Sequence, residues 1–506
     1  MSGDKANTTK YMRALFEEYE VVEFYKISHQ AAVLIFRENR LLRYMPIEPL
    51  LVGREARVLA RLKELVPRVL KSQVMFHAQD TDTMETELKR AVDVSLRYLG
   101  LKLDPPTYEK LFYYLRRDLL GLGPVDVMYR DEKVEDITCA GARSHVYVFH
   151  RDYEWLPTTV RFDDPEELLV FARRLAWKAG HDLVYANPIV EGPLPPKMYR
   201  THLTMDVVSI RGPSFTIRKG TEEPLTLPKL IDLGTLSVEL AAYLWLMVSN
   251  LQTILIAGPM ASGKTSLLNA IAMLIPPQKK IVTIEETNEI RLPHENWTPM
   301  VTRESFQPGV SSITLFDLLK SSLRQRPDYI IVGEIRGEEA YTFFQAISVG
   351  HGGLGTIHSE SYEQVIRRLE SPPMNLPRPM LALLNSIVVL QRIRENDEFS
   401  RKVVEVVEIA GYDPARNIIR AATIASYDTA VRTWTFNEPI TSIRRISQRT
   451  GVDERTVLED LRRRATILRW MVAENIVSAS EVFETVKEYH YFPERVYDRA
   501  RSAGYL

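Results

Sequence analysis

The sequence predicts an α/β fold in which a parallel-rich sheet follows an α+β N-terminal domain and precedes a helical tail. Short apolar runs alternate with helical patterns between about residues 230 and 394, which is typical of a parallel sheet with helices on both faces. The apolar runs are 253–257, 281–284, 329–332 and 354–357. Helical patterns dominate after about residue 442, whereas the region before 220 contains short β-rich runs, such as 145–150 and 214–217.

The composition excludes several classes of protein. The length of 506 residues is enough for about three domains. The 65 Lys and Arg residues balance 66 Asp and Glu residues, so the net charge of −1 gives no basic excess for coating nucleic acid. We therefore expect no direct nucleic-acid partner. Cys139 is the single cysteine, which excludes intrachain disulfides and cysteine-based metal clusters.

The sequence contains no segment typical of a membrane anchor. Charged residues interrupt the apolar positions of residues 1–30, unlike the core of a signal peptide. The apolar stretch 238–257 has the length of a membrane span, but it includes Glu239, Asn250 and Gln252. It predicts a helix followed by a buried strand. We expect a cytoplasmic protein that reaches the membrane through partners.

Five segments are predicted from these patterns. Within the tail, residues 446–461 have the spacing of two helices joined at Gly451 and Val452. A DNA-binding helix-turn-helix is one interpretation of that spacing, and two packed helices of a helical cap are the commoner one. The segments are a helical or mixed N-terminal region for partner docking at 1–110, an α+β domain at 111–222, a linker at 223–230, the parallel-sheet domain at 231–440 and a helical region at 441–506.

One glycine-rich loop lies between an apolar run and an amphipathic helix. It has the pattern G-x-x-x-x-G-K-T, in which backbone N–H groups curl around phosphate oxygens and the helix adds its positive end. We expect Lys264 to reach the terminal phosphates and the Thr265 hydroxyl to bind magnesium. The predicted phosphate contacts are Gly258, Pro259, Met260, Ala261, Ser262, Gly263, Lys264, Thr265 and Ser266.

Carboxylates follow two of the apolar runs. Glu334 comes just after 329–332, at the end of a strand, where a hydrolase holds the group that positions the attacking water. Gly333 precedes it, so another acid is needed to help bind the metal. We expect the acids after 281–284 to organise the metal, with Glu286 as a ligand. A solvated loop is the alternative for any single one of them: Glu285, Glu286 and Glu289.

Two histidines, His351 and His358, are separated by glycines and one further strand. A core histidine with satisfied hydrogen bonds is the usual explanation for either one. Metal ligation is disfavoured because no acid or thiol lies at helical ligand spacing from them. At the end of run 354–357, His358 is also placed to donate to a phosphate or to relay its state to a neighbour.

Together these motifs resemble the secretion ATPase superfamily, which powers type II secretion, type IV pili and the archaeal flagellum. The resemblance includes the loop from Gly258, the acids from Glu285, residues 323–336 ending in Gly-Glu-Ile-Arg, and residues 350–358. It extends back to about residue 110. The chain lacks the four-cysteine zinc insert of many bacterial members and is more similar to the archaeal branch.

The resemblance implies a RecA-like P-loop motor domain, ATP and Mg²⁺ as ligands, and ATP hydrolysis in a homohexameric ring. His358 would sense the terminal phosphate. Positive charge would come from Arg211 and Arg218 of the N-terminal domain and from Arg324 and Arg336 of the motor domain. A surface ion pair is the alternative for any one of these arginines. The implied partners are a polytopic membrane platform protein and, indirectly, pilin-like filament subunits at the inner face of the cell membrane.

Three functions are compatible with the sequence. The favoured one is a motor that drives assembly or secretion of a pilus-like filament. A related motor for nucleic-acid or conjugative export is the second, although the near-zero net charge gives it no support. A nucleotide-binding scaffold without hydrolysis is the third, and the presence of Lys264, Glu334 and the acidic run argues against it.

Overall fold

The computed structural model describes residues 19–70, 81–219, 224–303, 311–395 and 398–504. The chain divides into two compact units, Met1–Thr221 and Glu222–Leu506. The division falls beside the predicted linker at 223–230. Within that linker, however, a short helix begins at Leu227, and its buried side chain packs into the core of the second unit.

The N-terminal unit is built on one nine-stranded sheet. Its strand order is β1-β2-β3-β6-β5-β4-β9-β8-β7, and all its neighbours are antiparallel except β3 and β6. The strands are β1 (Glu20–Lys26), β2 (Ala32–Glu38), β3 (Leu41–Ile47), β4 (Val134–Cys139), β5 (His145–His150), β6 (Glu154–Arg161), β7 (Ile189–Leu194), β8 (Tyr199–Thr204) and β9 (Ser214–Arg218).

Five α-helices accompany this sheet in the described part of the unit. The helix that packs on the β9-β8-β7 end of the sheet begins after Asp164, whose side chain accepts a hydrogen bond from the Glu166 amide, and buries Leu168, Phe171 and Leu175. The helices are α1 (Gly53–Val69), α2 (Thr81–Tyr98), α3 (Pro105–Leu119), α4 (Asp126–Arg130) and α5 (Pro165–Lys178), with a 3-10 turn at Gly123–Val125.

Among the described residues of the range 1–110, the predicted helical patterns occur from Gly53 onward. Residues 20–47 form β1, β2 and β3 instead. The cause is the run from Ala32 to Phe36, which is buried on both faces of the sheet, so it lacks the polar side that a surface helix needs. Residues 1–18 lie outside the described residues.

The second unit contains the predicted parallel-rich sheet. Strands β12-β11-β13-β14-β10-β15 are parallel in that order, and β15-β16-β17-β18 continue it as an antiparallel ribbon. The strands are β10 (Ile254–Ala257), β11 (Ile281–Glu285), β12 (Trp297–Val301), β13 (Tyr329–Val332), β14 (Gly352–Ile357), β15 (Ser386–Glu395), β16 (Glu398–Asp413), β17 (Ile418–Asp428) and β18 (Thr433–Phe436).

Helices cover both faces of this sheet, as predicted. Ile254 and Ile256 of β10 belong to the core on one face, whereas Leu255 and Ala257 belong to the core on the other. The helices are α6 (Leu227–Asp232), α7 (Val238–Ser249), α8 (Lys264–Ala272), α9 (Leu315–Ser322), α10 (Glu339–Ser348), α11 (Tyr362–Glu370), α12 (Arg378–Leu381), α13 (Ile440–Thr450), α14 (Glu454–Ala473), α15 (Ala479–Tyr491) and α16 (Pro493–Ser502).

The candidate helix-turn-helix is part of a packed helical cap. Helix α13 ends at Gly451, which is left-handed at φ 75°, and α14 buries Leu461, Leu468 and Met471 in the core that includes α7. The guanidinium of Arg464 lies over the ring of Trp245 in α7, 4.7 Å from its centroid. Because α14 is used for packing along its length, the structure favours the interpretation as a cap.

The apolar stretch 238–257 forms a helix and a buried strand, as predicted. Helix α7 ends at Ser249, and β10 begins at Ile254. Among the described residues, no helix combines the length and the hydropathy that crossing a membrane requires.

We expect Gly352→Ala to destabilise the second unit. A Cβ at position 352 would lie 2.4 Å from the ring of Tyr329, which is fully buried and donates its hydroxyl to the Val248 carbonyl, so the ring has little room to move. The expected cost is about 1–3 kcal/mol, measured as a lower Tm. Gly53→Ala, with open space around the new methyl group, is the control. Equal Tm values for the two variants would contradict this packing.

Candidate active site

The phosphate loop joins β10 to α8. Position 258 has room only for glycine, because a Cβ there would lie 2.6 Å from the Leu390 carbonyl oxygen of β15. Gly263 has φ 93°, a conformation that glycine adopts without strain. Ala261 is also left-handed, at φ 58°, although it is not glycine. The loop therefore holds one strained residue, which its surroundings must stabilise.

Lys264 is the first residue of α8 and its side chain lies within the loop. Its Nζ donates to the Pro259 carbonyl at 2.7 Å and lies 3.5 Å from Nδ1 of His358. Burial lowers the pKa of Lys264. A lysine held in the loop in this way has the position that the predicted contact with phosphate oxygens requires, and that contact stays a prediction. Thr265 and Ser266 follow in the first helical turn and are half-buried, and Met260 at the loop tip is exposed.

Glu334 and His358 lie together at the carboxyl ends of two neighbouring parallel strands, β13 and β14. His358 Nε2 is 3.3 Å from Glu334 Oε1. Burial lowers the pKa of His358, and the cations Lys264, Arg368 and Arg336 lower it further, against the opposing effect of Glu334. The ring is therefore neutral at neutral pH. Because the Lys264 ammonium faces Nδ1, we assign the ring proton to Nε2, facing Glu334.

Glu285, at the end of β11, is an internal anchor of the acidic loop. It is 3% exposed, and its Oε1 accepts hydrogen bonds from the amides of Glu289 and Ile290, both at 3.0 Å. Its Oε2 is buried with no hydrogen-bond partner in the described part of the chain. Burial raises the pKa of Glu285 to about 7. Oε1 thus holds the acidic loop in place, and Oε2 is free to accept a further hydrogen bond or to bind a cation.

The small size of Gly333 is explained by its neighbour Glu285. Strands β11 and β13 are neighbours, and a Cβ at Gly333 would lie 3.1 Å from Cγ of Glu285. The Gly333 amide donates to the Ile284 carbonyl, which fixes its position. A side chain at 333 would therefore require Glu285 to shift by a few tenths of an ångström. The acid expected to compensate for the glycine therefore occupies the space that the glycine leaves.

The other two predicted acids are exposed. Glu286 pairs with the guanidinium of Arg336, and Glu289 contributes its backbone amide to Glu285. The residues that could hold Mg²⁺, Thr265 and the acidic loop, offer hydroxyl and carboxylate oxygens, which are the ligands that this ion prefers. The unpartnered Oε2 of Glu285 adds one buried acceptor. This donor set fits a hard divalent cation, with Thr265 and Glu286 as the predicted protein ligands.

The remaining predicted residues differ in placement. Nδ1 of the half-buried His351 donates one hydrogen bond at 2.6 Å to the Pro327 carbonyl. Arg324 is exposed in a 3-10 turn at Leu323–Gln325. Arg211 and Arg218 belong to the N-terminal unit, where Arg218 Nε pairs with Asp136 at 3.1 Å. Their proposed action on a nucleotide stays a prediction.

Three residues of this site were not predicted from the sequence. Asn269 of α8 accepts the Arg291 amide at 3.0 Å, which ties the acidic loop to the phosphate loop. Glu339 accepts the amides of Arg336 and Gly337, both at 2.7 Å, and shapes the turn after Glu334. Arg401 of β16 donates from Nε to the Ala261 carbonyl at 3.0 Å. Of these three residues, only Glu339 could have been identified from the sequence, because an acid at the start of a predicted helix is a common stabilising pattern.

We expect the stability contribution of Glu285 to depend on pH. Its pKa rises from 4.5 to about 7 on folding, so the contribution is complete below pH 4.5 and is lost as the pH rises through 7. Glu285→Gln keeps an accepting oxygen without the charge. The variant should therefore be more stable than wild type at pH 8, by about 3 kcal/mol, and should gain nothing at pH 4.5.

Thermal unfolding of both proteins between pH 4.5 and 8 measures this difference. The exposed Glu295 provides the control, because Glu295→Gln should leave a constant offset from wild type. Parallel curves for Glu285→Gln and wild type would show that the carboxyl group is not desolvated.

Comparisons with known proteins show which family the chain resembles. The model of the family "Type II/IV secretion system protein" matches residues 122–487. An uncharacterised protein of Methanocaldococcus jannaschii is 37% identical over 390 residues, which is 76% of this chain and 70% of the relative. A putative conjugal transfer protein of Mycobacterium tuberculosis is 30% identical over 251 residues, 47% of this chain and 71% of that relative.

A solved structure of the pilus retraction motor PilT with bound ADP has a TM-score of 0.42 and 20% identity, covering 63% of this chain and 85% of that chain. The family model spans nearly half of the first compact unit and most of the second. Together with the archaeal relative, it establishes that this chain belongs to the type II/IV secretion system protein family, the secretion ATPases.

Proposed function

We propose that this chain is a ring-forming motor that hydrolyses ATP to drive assembly or secretion of a type IV pilus-like filament. The filament would be a pilus, an archaellum or a type II secretion pseudopilus, and the motor would act from the cytoplasmic side. The observation that supports hydrolysis best is the contact of Glu334 with His358, which in turn lies beside Lys264 of the phosphate loop.

In the proposed reaction, the backbone amides of the phosphate loop and the Lys264 ammonium bind the phosphates. Glu334 orients the attacking water and accepts its proton. Its partner His358 is neutral and presents Nε2–H to the carboxylate, which keeps the carboxylate ionised and fixed in place. Thr265 and Glu286 would hold Mg²⁺, and the charge that the ion supplies would offset the charge of the phosphate oxygens.

His358 is well placed to sense the terminal phosphate. Its ring lies between the Lys264 ammonium and the Glu334 carboxylate, and its backbone carbonyl accepts a hydrogen bond of 2.6 Å from Arg368. A phosphate that draws Lys264 away from Nδ1 removes one of the cations that oppose protonation of the ring. The state of the nucleotide therefore reaches the ring through Lys264.

The remaining parts of the proposal come from the family. A homohexameric ring would bring Arg211 and Arg218 to nucleotides as sources of positive charge, with Arg324 and Arg336 acting from the motor unit. Arginine suits this role because its planar guanidinium binds phosphate with two parallel hydrogen bonds. A polytopic membrane platform protein would be the direct partner, and pilin-like subunits would be moved through it.

Conjugative export is the second candidate function. The observation that favours it is the similarity to the putative conjugal transfer protein of M. tuberculosis. Neighbouring genes distinguish the two functions, because genes for a platform protein and pilin-like subunits support a filament motor and genes for conjugation support export.

We expect Glu334→Gln to bind ATP and to release phosphate at least about 100-fold more slowly than wild type, because no group accepts the proton of the water. Lys264→Ala should lose ATP affinity as well as rate. Steady-state phosphate release and equilibrium binding of a fluorescent ATP analogue measure the two effects.

Two variants are matched controls for these substitutions. Glu295→Gln removes an exposed carboxylate outside the site, and Lys280→Ala removes a half-buried lysine outside the phosphate loop. Both should retain the wild-type rate. A wild-type rate for Glu334→Gln, or a wild-type protein that binds ATP and releases no phosphate, would contradict the proposed hydrolysis.

We expect the ring to be detectable by mixing inactive variants. If Arg218 acts on the nucleotide of a neighbouring subunit, Lys264→Ala subunits supply the arginine and Arg218→Ala subunits supply the intact loop, so the mixture regains ATPase activity. Light scattering of the wild-type protein with ATP and Mg²⁺ should give six times the mass of the chain. A mixture without activity would exclude this action of Arg218, and a fully active monomer would exclude the ring.

A further inference from the structure

The phosphate loop is enclosed on one side by the antiparallel ribbon of β15 and β16. The carbonyl of Leu390 in β15 closes the space beside Gly258, as described above. On β16, Cδ of Arg401 lies 3.2 Å from the position of a Cβ at Gly263. The two strands, which follow the loop by more than 120 residues, therefore leave little space for a side chain at either glycine of the motif.

Arg401 also joins this ribbon to the tip of the loop by a side-chain hydrogen bond. Its Nε–H donates to the Ala261 carbonyl at 3.0 Å. Ala261 is the non-glycine residue with φ 58°, in the part of the loop whose amides face a bound phosphate. The left-handed conformation is unfavourable for alanine, so the loop needs an outside contact to keep it.

We propose that Arg401 is a positioning residue of the phosphate loop: it holds the Ala261 carbonyl and thereby keeps the loop amides directed at the phosphates. The proposal rests on the proposed nucleotide site. Because Arg401 acts through Ala261, it affects the affinity for any nucleotide whose phosphates bind in the loop. ATP and ADP are therefore affected alike, and the chemical step much less.

Two substitutions separate the hydrogen bond from the charge. Arg401→Gln places an amide nitrogen on Cδ, where arginine has Nε, so the donor to Ala261 remains and the charge is lost. Arg401→Met has a side chain of the same reach and no donor. The control is Arg420→Met, which removes an exposed arginine of the neighbouring strand β17.

Calorimetric titration of the full-length protein with ADP and Mg²⁺ gives the dissociation constants, and ATPase assays give KM and kcat. We expect Arg401→Met to weaken ADP binding about tenfold and to raise KM by a similar factor, with kcat within about threefold of wild type. Arg401→Gln should bind ADP within about threefold of wild type. The Tm of each variant should stay close to that of Arg420→Met, because Arg401 is exposed.

Ala261→Gly tests the backbone directly. Glycine adopts φ 58° without strain, so the double variant Ala261→Gly with Arg401→Met should bind ADP more tightly than Arg401→Met alone. Equal ADP affinity of Arg401→Met and Arg420→Met would overturn the proposal. A loss as large in Arg401→Gln as in Arg401→Met would also overturn it, by assigning the effect to charge. These are binding measurements, so they stand apart from a failure of wild-type protein to hydrolyse ATP.

Discussion

Parallel pairing of β10, β14, β13 and β11 is the constraint on which the site depends. In a parallel sheet all carboxyl ends lie at one edge, so residues far apart in the chain meet there. The phosphate loop follows β10, His358 follows β14, Glu334 follows β13 and Glu285 ends β11. The pairing is secured from both faces, because every residue of β10 and β13 is buried.

The sequence predicted those parts of the fold that have a local pattern. Four apolar runs predicted four of the six parallel strands, β10, β11, β13 and β14, and the motif from Gly258 to Thr265 predicted the loop and the helix after it. The ribbon of β15 to β18 was not predicted, because its strands alternate irregularly and carry charged residues on exposed positions. Strand β2 was missed for a different reason, since its run from Ala32 to Phe36 is buried on both faces of the sheet and has no polar side to give its period.

In the site, residue types were predictable and their partners were not. The sequence identified Lys264, Glu334 and His358, which the structure brings together. It did not indicate that one oxygen of Glu285 would hold two backbone amides, or that Arg401 would contact Ala261 from 140 residues away. Such contacts form because the fold brings distant loops together at one edge of the sheet. The amino-acid sequence has no local pattern that indicates them.

The packing of Glu285 over Gly333 couples these two positions. Here β11 supplies the carboxylate and β13 supplies the glycine beside it. A side chain added at 333 would require Cγ of Glu285 to shift by a few tenths of an ångström, and a smaller residue at 285 would relieve that contact. The acidic group at this edge is thus a property of a pair of adjacent strands, and substitutions at the two positions should be epistatic.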